Sequence, residues 1–365
     1  MHALKRFGTA FGGYKMMENY PVPECGPDDI ILEIKAAAIC GADMKHWGVD
    51  NGYDDTNITP DQQQSVRGHE FAGEIVKVGE NVKDWHIGQR VVSDNSAHVC
   101  GVCPACEQGD FLCCEHKVNL GLDNNTWGGG FSKYCKVPGE ILAIHKHAIW
   151  EIPEGIKYEE ACVLDPICNA YKAVAQQSHL IPGQDVVVFG TGPLGLFSVQ
   201  VAKLMGAVNI VMVGLDDDVK VRFGVAKELG ATHCVNGSKE DVVARCTEIC
   251  GRDNLGLVIE CSGANIALKQ AIEMTRPNAE IVRVGMGFKP LEFSINDITA
   301  WNKSIIGHMA YDSTSWRNCI RLLQSGQIKV QPMITHRLGL SQWQEGFDKM
   351  AKKEAIKVIF HYDYE

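Results

Sequence analysis

Five cysteines crowd one stretch of this chain. Cys100, Cys103 and Cys106 recur at every third position, and Cys113 and Cys114 close the segment CGVCPACEQGDFLCCE. Four thiolates this close in sequence suit a tetrahedral Zn²⁺, whose borderline softness favours sulfur. A closed four-sulfur shell leaves no place for water or substrate, so such a metal staples a loop and does no chemistry. On spacing alone the fourth ligand is Cys114 or its neighbour Cys113. A disulfide cluster or scattered reduced core cysteines are the plain alternatives, and the short regular spacing speaks against both. A second constellation is dispersed: Cys40 in AICGADMKHW, the pair His69 and Glu70 in RGHEFAG, and Asp165 in LDPICNA. One cysteine, one histidine and one or two carboxylates could complete a catalytic zinc site, with three protein ligands and one open position. Taken singly, a cysteine on an apolar stretch is usually core and a His-Glu pair usually surface.

A third motif is Gly190-Thr191-Gly192-Pro193-Leu194-Gly195, which follows VVVF and opens an apolar helical pattern. In that context G-x-G-x-x-G is a dinucleotide fingerprint. Gly190 permits a tight turn, Gly192 lets a diphosphate approach the backbone, and Gly195 allows close helix–strand packing. The segment Gly190 to Gly195, with Pro193 and Leu194, is therefore the candidate cofactor-binding turn. The second strand of such a unit ends on an acidic residue that holds the ribose hydroxyls. Here it ends on Gly214, and Asp216, Asp217 and Asp218 follow. A carboxylate there favours NAD⁺, whereas Arg222 or Lys220 could meet the extra phosphate of NADP⁺. NAD⁺ is the expected cofactor.

These residues need elements to hold them. The first 150 residues carry short β-type runs between Gly and Pro, such as DIILEIKAAAI (29–39), EFAGEIVKVG (70–79) and QRVVS (89–93), which suggest an antiparallel barrel or sandwich. From about Asp165 the texture changes. DVVVFG (185–190), NIVMVG (209–214), THCVN (232–236), LGLVIECSG (255–263) and EIVRVGMG (280–287) alternate with helical segments, as in a parallel, doubly wound sheet. The tail from about Met309 has two amphipathic helical patterns and a final strand KVIFHY (357–362), expected to fold back on the N-terminal part. At 365 residues two domains are the default. A net charge of −10 argues against nucleic acid or an anionic membrane surface as partner. No run approaches the ~20 apolar residues of a membrane span. The opening MHALKRFGTAFGGYKM lacks the apolar run of a signal peptide. With fifteen cysteines, the expectation is a reducing, cytoplasmic compartment.

At these residues the chain resembles the zinc-dependent medium-chain dehydrogenase/reductase family, above all its sorbitol (polyol) and threonine dehydrogenase branches. ICGAD is similar to I-C-G-S/T-D, RGHEFAGEIVKVG to G-H-E-x-x-G-x-V-x-x-V-G, and IGQRVV to G-D-R-V. DPICNA looks like the D-P-F-G-N-A of threonine dehydrogenases, and VIECSG and AIKVIF recur in order. The resemblance implies an α/β protein with a GroES-like β-barrel catalytic domain, 1–165 completed by 310–365. A Rossmann domain with a doubly wound parallel sheet, 166–309, would be inserted, with the active site in the cleft. It further implies two zinc ions per chain. Cys40 and His69 would ligate the catalytic one with Glu70 or Asp165 as carboxylate. Cys100, Cys103, Cys106 and Cys114, not Cys113, would hold the structural one. Homodimers or homotetramers are implied.

Two departures bear on the chemistry. Ala42 stands where relatives carry a Ser or Thr hydroxyl, and Lys45, with His46 beside it, where many place a relay histidine. The proton must leave through metal-bound water with Glu70, through Lys45, or through His46. An insertion over 48–67 is polar and reads as a surface loop. The implied reaction passes a hydride from an alcohol to the nicotinamide, with a small-molecule alcohol and its ketone as partners. The carboxylates of Glu70 and Asp165, with Trp47, suit a neutral sugar alcohol; threonine or a butanediol-like diol are the alternatives. A zinc-stapled, redox-sensing nucleotide binder is the rival class. A zinc-independent quinone-type reductase would lack both metal motifs.

Overall fold

This computed structural model describes residues 1–6, 13–44, 47, 65–123, 126–287 and 289–365. The chain forms two compact units, Met1–Asp165 with Ile334–Glu365, and Pro166–Met333. In the first, aliphatic runs punctuated by Gly and Pro give short strands. They are β1 (Ala3–Arg6), β2 (Tyr14–Met17), β3 (Ile30–Ala38), β4 (Glu70–Val78), β5 (Arg90–Ser93), β6 (Ser96–His98), β7 (Val118–Asn119), β8 (Tyr134–Val137) and β9 (Ile149–Glu151). β3 and β4 pair antiparallel, and their register sets Ala38 opposite Glu70. Their side chains build a core with Leu4, Ile30, Leu32, Phe71, Ile75 and Phe131. Of the insertion read as a surface loop over 48–67, residues 48–64 lie outside the described residues, as do Lys45 and His46. Its end departs from that reading: Ser65, Val66 and Arg67 are buried. The Arg6 amide donates to the Ser65 carbonyl at 2.9 Å and Val66 bridges to Lys5, so this end is tied to β1.

The second unit carries β10 (Val186–Phe189), β11 (Ile210–Gly214), β12 (His233–Asn236), β13 (Leu257–Glu260), β14 (Glu280–Arg283) and β15 (Ser304–Gly307). Every neighbouring pair is parallel. The order β12-β11-β10-β13-β14-β15 is the 3-2-1-4-5-6 of a doubly wound dinucleotide-binding sheet. VVVF is buried at all four positions, as a strand with both faces covered must be. β15 has no counterpart in the sequence pattern, because SIIG is short and lies at a sheet edge where its residues are mostly exposed. The units divide at Met333/Ile334, later than the expected 309/310. Polar contacts explain the difference: Gln200 donates to the Lys329 carbonyl at 3.0 Å and accepts its amide hydrogen at 2.8 Å, and Asn318 donates to the Tyr171 hydroxyl at 3.0 Å.

The chain then returns to the first unit through β16 (Ile334–Gly339) and β17 (Lys357–His361). The completed sheet runs β16-β17-β3-β4-β5-β9, with β8 also on β3. β17 lies antiparallel to β3, with Ile359 opposite Ala38. Three strand ends therefore meet where β3 finishes: Lys357 from β17, Ala38 from β3 with Ile39 just beyond it, and Glu70 from β4. The helix Trp343–Ala351 packs Phe347 and Trp343 against Trp47, whose indole N–H donates to Asp348 at 3.1 Å. Among the described residues no helix is long and apolar enough to cross a membrane.

Candidate metal centres and cofactor turn

Beyond β6 the backbone folds tightly on itself. Gly101 and Gly109 take φ of 75° and 81°, and Pro104 starts a one-turn helix to Glu107. That path brings Cys100, Cys103, Cys106 and Cys114 together, with one sulfur from each within 4.8 Å of all the others. Cys113 is exposed and outside the group, and Cys114 is buried within it. The Cys100 and Cys106 sulfurs are 4.0 Å apart. A Zn–S bond of about 2.3 Å at tetrahedral angles sets sulfurs roughly 3.8 Å apart, so the four fit a zinc ion. Amide hydrogens of Val102 and Cys103 stabilise the Cys100 thiolate, pushing it down to about 6, while burial pushes the Cys106 thiol up to about 12. Among the described residues no cysteine is joined to another in a disulfide. The lobe is anchored by His145, whose ring lies 4.2 Å from that of Phe111 and whose Nε2 is 2.5 Å from Asp94 Oδ2.

The second cluster sits where β3 and β4 end side by side. Cys40 follows β3, His69 precedes β4, and Glu70 is its first residue. Their ligand atoms lie within 4.8 Å of one another. Asp43, fully buried, ties the cluster together: it accepts the Cys40 amide hydrogen at 3.0 Å, and its other oxygen is 4.0 Å from His69 Nδ1 and 3.5 Å from Arg67 Nε. His69 Nδ1 and Glu70 Oε1 are buried without a hydrogen-bond partner among the described residues. Orphaned buried polar atoms are costly in an apo protein. Beside a thiol, they are the donor set a zinc ion would satisfy. Asp165 stands outside the three-residue group; its Oδ2 accepts from Asn95 at 3.1 Å, and its charge reaches both Cys40 and Glu70. Burial holds the Glu70 carboxyl well above the usual carboxylate range, and the Cys40 thiolate and Asp165 push the same way. Burial also raises the Cys40 thiol.

One neighbour was not singled out in the sequence. The Lys357 ammonium, 1% exposed, donates to Glu70 Oε2 and to the Ile39 carbonyl at 3.1 Å. The available signal was a single lysine inside the apolar run AIKVIF, which reads as an ordinary strand start. Asp43, Arg67 and Asn95 were also passed over, being common polar residues whose partners only the fold reveals.

In the second unit Gly190 ends β10 with φ 94°. A Cβ at Gly195 would lie 1.8 Å from the Gly190 carbonyl oxygen, so helix Pro193–Leu204 can approach the strand only with glycine there. Gly192 caps this helix at φ −72°, and nothing lies within 4 Å of where its Cβ would be. Pro193 and Leu194 form the first turn, where free amides favour an anion. The aspartate run divides. Asp218 is buried, accepting the Leu215 amide hydrogen at 2.9 Å and lying 3.4 Å from Arg222. Asp216 and Asp217 are exposed; Asp216 accepts from Asn236 at 2.6 Å and pairs with Lys239 at 3.2 Å. Arg222 is thus engaged with Asp218 rather than extended toward solvent.

Residues 26–147 match the alcohol dehydrogenase GroES-like domain, and residues 193–325 the zinc-binding dehydrogenase family. The chain is 77% identical to the uncharacterized zinc-type alcohol dehydrogenase-like protein YdjL of Escherichia coli, with 100% of each covered. It is 30% identical to a sorbitol dehydrogenase of Halalkalibacterium halodurans, with 98% of each covered. The crystal structure of 2R,3R-butanediol dehydrogenase from Bacillus subtilis superposes with a TM-score of 0.83 at 29% identity, with 99% of each chain covered.

Proposed function

The chain belongs to the zinc-dependent medium-chain dehydrogenases, NAD(P)-dependent oxidoreductases, and from that premise we propose that it oxidises a secondary alcohol of the sugar-alcohol type to a ketose. The observation that carries this reading is the buried convergence of Cys40, His69 and Glu70 at the ends of β3 and β4. When bound, zinc makes an alcohol oxygen acidic near neutral pH, and a nicotinamide takes up the hydride. Cys40 and His69 would hold that metal, with Glu70 or Asp165 as the carboxylate, directly or through bound water. Asp43 holds the Cys40 backbone through its amide hydrogen and faces the His69 ring. Where Asp165 is that carboxylate, Glu70 beside the metal accepts the hydroxyl proton. Alcohol and NAD⁺ thus give ketone, NADH and one proton. The four-cysteine lobe holds a second, structural zinc.

Gly190, Gly192 and Gly195 would hold the cofactor diphosphate, and a carboxylate of Asp216 or Asp217 would hold the ribose hydroxyls, which favours NAD⁺ over NADP⁺. The acidic groups Glu70 and Asp165, and the likeness to a sorbitol dehydrogenase, support a neutral polyol. A 2,3-diol is the second reading, on the likeness to the butanediol dehydrogenase; DPICNA keeps threonine beside it. The protein acts as a dimer or tetramer in a reducing, cytoplasmic compartment. A panel of hexitols and pentitols, 2,3-butanediol and threonine, each with NAD⁺ and NADP⁺, tests the substrate. Polyols with NAD⁺ giving the highest kcat/KM supports the reading, and a preference for threonine or the diol overturns it.

A further inference from the structure

A carboxylate taken out of water is costly unless donors or an opposite charge meet it. Glu260, the last residue of β13, is 0% exposed. Its Oε1 accepts three hydrogens from the turn that follows: the Ser262 amide at 2.7 Å, the Ser262 hydroxyl at 2.5 Å and the Gly263 amide at 2.9 Å. Its Oε2 faces Arg283, the register partner on β14, whose Nε stands 3.9 Å away. The Ser262 hydroxyl also accepts the Ala264 amide hydrogen at 3.2 Å, which carries the network to the start of helix Asn265–Met274. One carboxylate oxygen thus organises the whole Cys261–Ala264 turn.

That turn stands at the switch point of the sheet. In the order β12-β11-β10-β13-β14-β15 the strand order reverses between β10 and β13, and a dinucleotide lies across the crevice outside the carboxyl ends of those strands. One lip is the Gly190–Gly195 turn after β10, and the other is Cys261–Ala264 after β13. The two lips touch: the Cys261 amide donates to the Phe189 carbonyl at 2.9 Å, and a Cβ on Gly190 would lie 3.0 Å from the Ser262 nitrogen. Gly263, at φ 73°, packs against the turn after β14, where a Cβ on Gly285 would lie 2.1 Å from its nitrogen. The half built on β10, β11 and β12 carries the diphosphate turn and the aspartates of the adenosine side, so the half built on β13, β14 and β15 takes the other mononucleotide. We propose that Glu260 is a positioning residue for the nicotinamide half of the cofactor: by binding the Ser262 and Gly263 amides and the Ser262 hydroxyl, it fixes the β13 lip of the crevice. The adenosine half, across the switch point, does not depend on it. This inference rests on the reading of Gly190–Gly195 as the diphosphate turn.

The test is calorimetric titration of the full-length protein with NAD⁺ and, separately, with ADP, which carries the adenosine and diphosphate but no nicotinamide. Glu260→Leu keeps the bulk and removes the acceptors, whereas Glu260→Gln keeps one acceptor oxygen. Glu260→Leu should bind NAD⁺ about tenfold more weakly than the wild type and ADP equally well. Glu260→Gln should hold NAD⁺ within about threefold of the wild type, because its amide oxygen still accepts from the turn. Unchanged ADP binding and a cooperative melt separate this effect from misfolding. If Glu260→Leu does not fold, Glu260→Asp takes its place, since it keeps the charge but withdraws the oxygens from the turn, and the same split between NAD⁺ and ADP is required of it. Equal weakening of NAD⁺ and ADP, NAD⁺ binding as in the wild type, or Glu260→Gln as weak as Glu260→Leu overturns the inference. Wild-type protein that binds neither NAD⁺ nor ADP overturns instead the reading of the diphosphate turn beneath it.

Discussion

Oδ2 of Asp43 accepts the amide hydrogen of Cys40 at 3.0 Å while its other oxygen stands 4.0 Å from His69 Nδ1, so one buried carboxylate lies beside two candidate ligands. Asp43 sits three residues after Cys40 in a one-turn helix, so the loop that delivers the thiol also carries the carboxylate that sets its negative charge near the imidazole. Outer-shell carboxylates of this kind typically change metal affinity about 10–100-fold. Asp43→Asn should speed metal loss from the Cys40 cluster by that factor and leave the four-cysteine metal in place. Chelator-release kinetics with a zinc indicator check this.

The cysteine lobe makes a contrasting pair. Cys106→Ser removes a buried sulfur of the four-membered group, whereas Cys113→Ser changes an exposed thiol outside it. The first should lose one metal per chain and open the 100–114 segment to protease, since the loop has little apolar core of its own. The second should do neither. Metal analysis and limited proteolysis distinguish the two.

Gly192 separates conformational need from ligand need. Its φ of −72° suits any residue and its Cβ would meet no protein atom within 4 Å. Gly192→Ala should therefore melt as the wild type does while weakening NAD⁺ binding by about tenfold or more, because the methyl occupies the space a diphosphate needs. Gly195→Ala should instead lower the melting temperature, its Cβ falling 1.8 Å from the Gly190 carbonyl. Calorimetric NAD⁺ titration and thermal melts check both.

His308 supplies a pH dependence in the second unit. Burial, with the nearby Lys172 cation, pushes its pKa from 6.5 down to about 4. Its Nδ1 lies 2.6 Å from Gln177 Oε1 and its Nε2 3.3 Å from Asn169 Oδ1. Between these pKa values the unfolded chain binds a proton that the folded one does not, so stability rises with pH across that window and falls on acidification. The contribution is at most ~3 kcal/mol and is fully present above the unfolded value. Melting curves from pH 7 to 4 should show this loss, and His308→Gln should flatten it.

How much of this was legible in the sequence depended on the range of the interaction concerned. Strands such as VVVF and the turn after it announce themselves locally, because a doubly covered strand must be apolar throughout and its helix must start on glycine. The cysteine lobe was equally visible, its four sulfurs lying within fifteen positions of one another. Cys40 and His69 were findable as chemistry-bearing residues at the ends of apolar runs, but their convergence needed the β3–β4 register. Lys357 stayed hidden since its carboxylate partner lies 287 positions away, and β15 because an exposed edge strand lacks alternation. The placement of residues 310–333 turned on side-chain bonds from Gln200 and Tyr171, which no local pattern encodes.

If Cys40 and His69 hold a metal at which an alcohol reacts, metal content and turnover must fall together when the thiol is removed. Wild-type protein and Cys40→Ala are each assayed for zinc and for polyol-dependent reduction of NAD⁺. The account predicts about two zinc ions per chain in the wild type, falling to about one in the variant with loss of activity. One zinc per chain in both proteins, with no turnover in either, would contradict it.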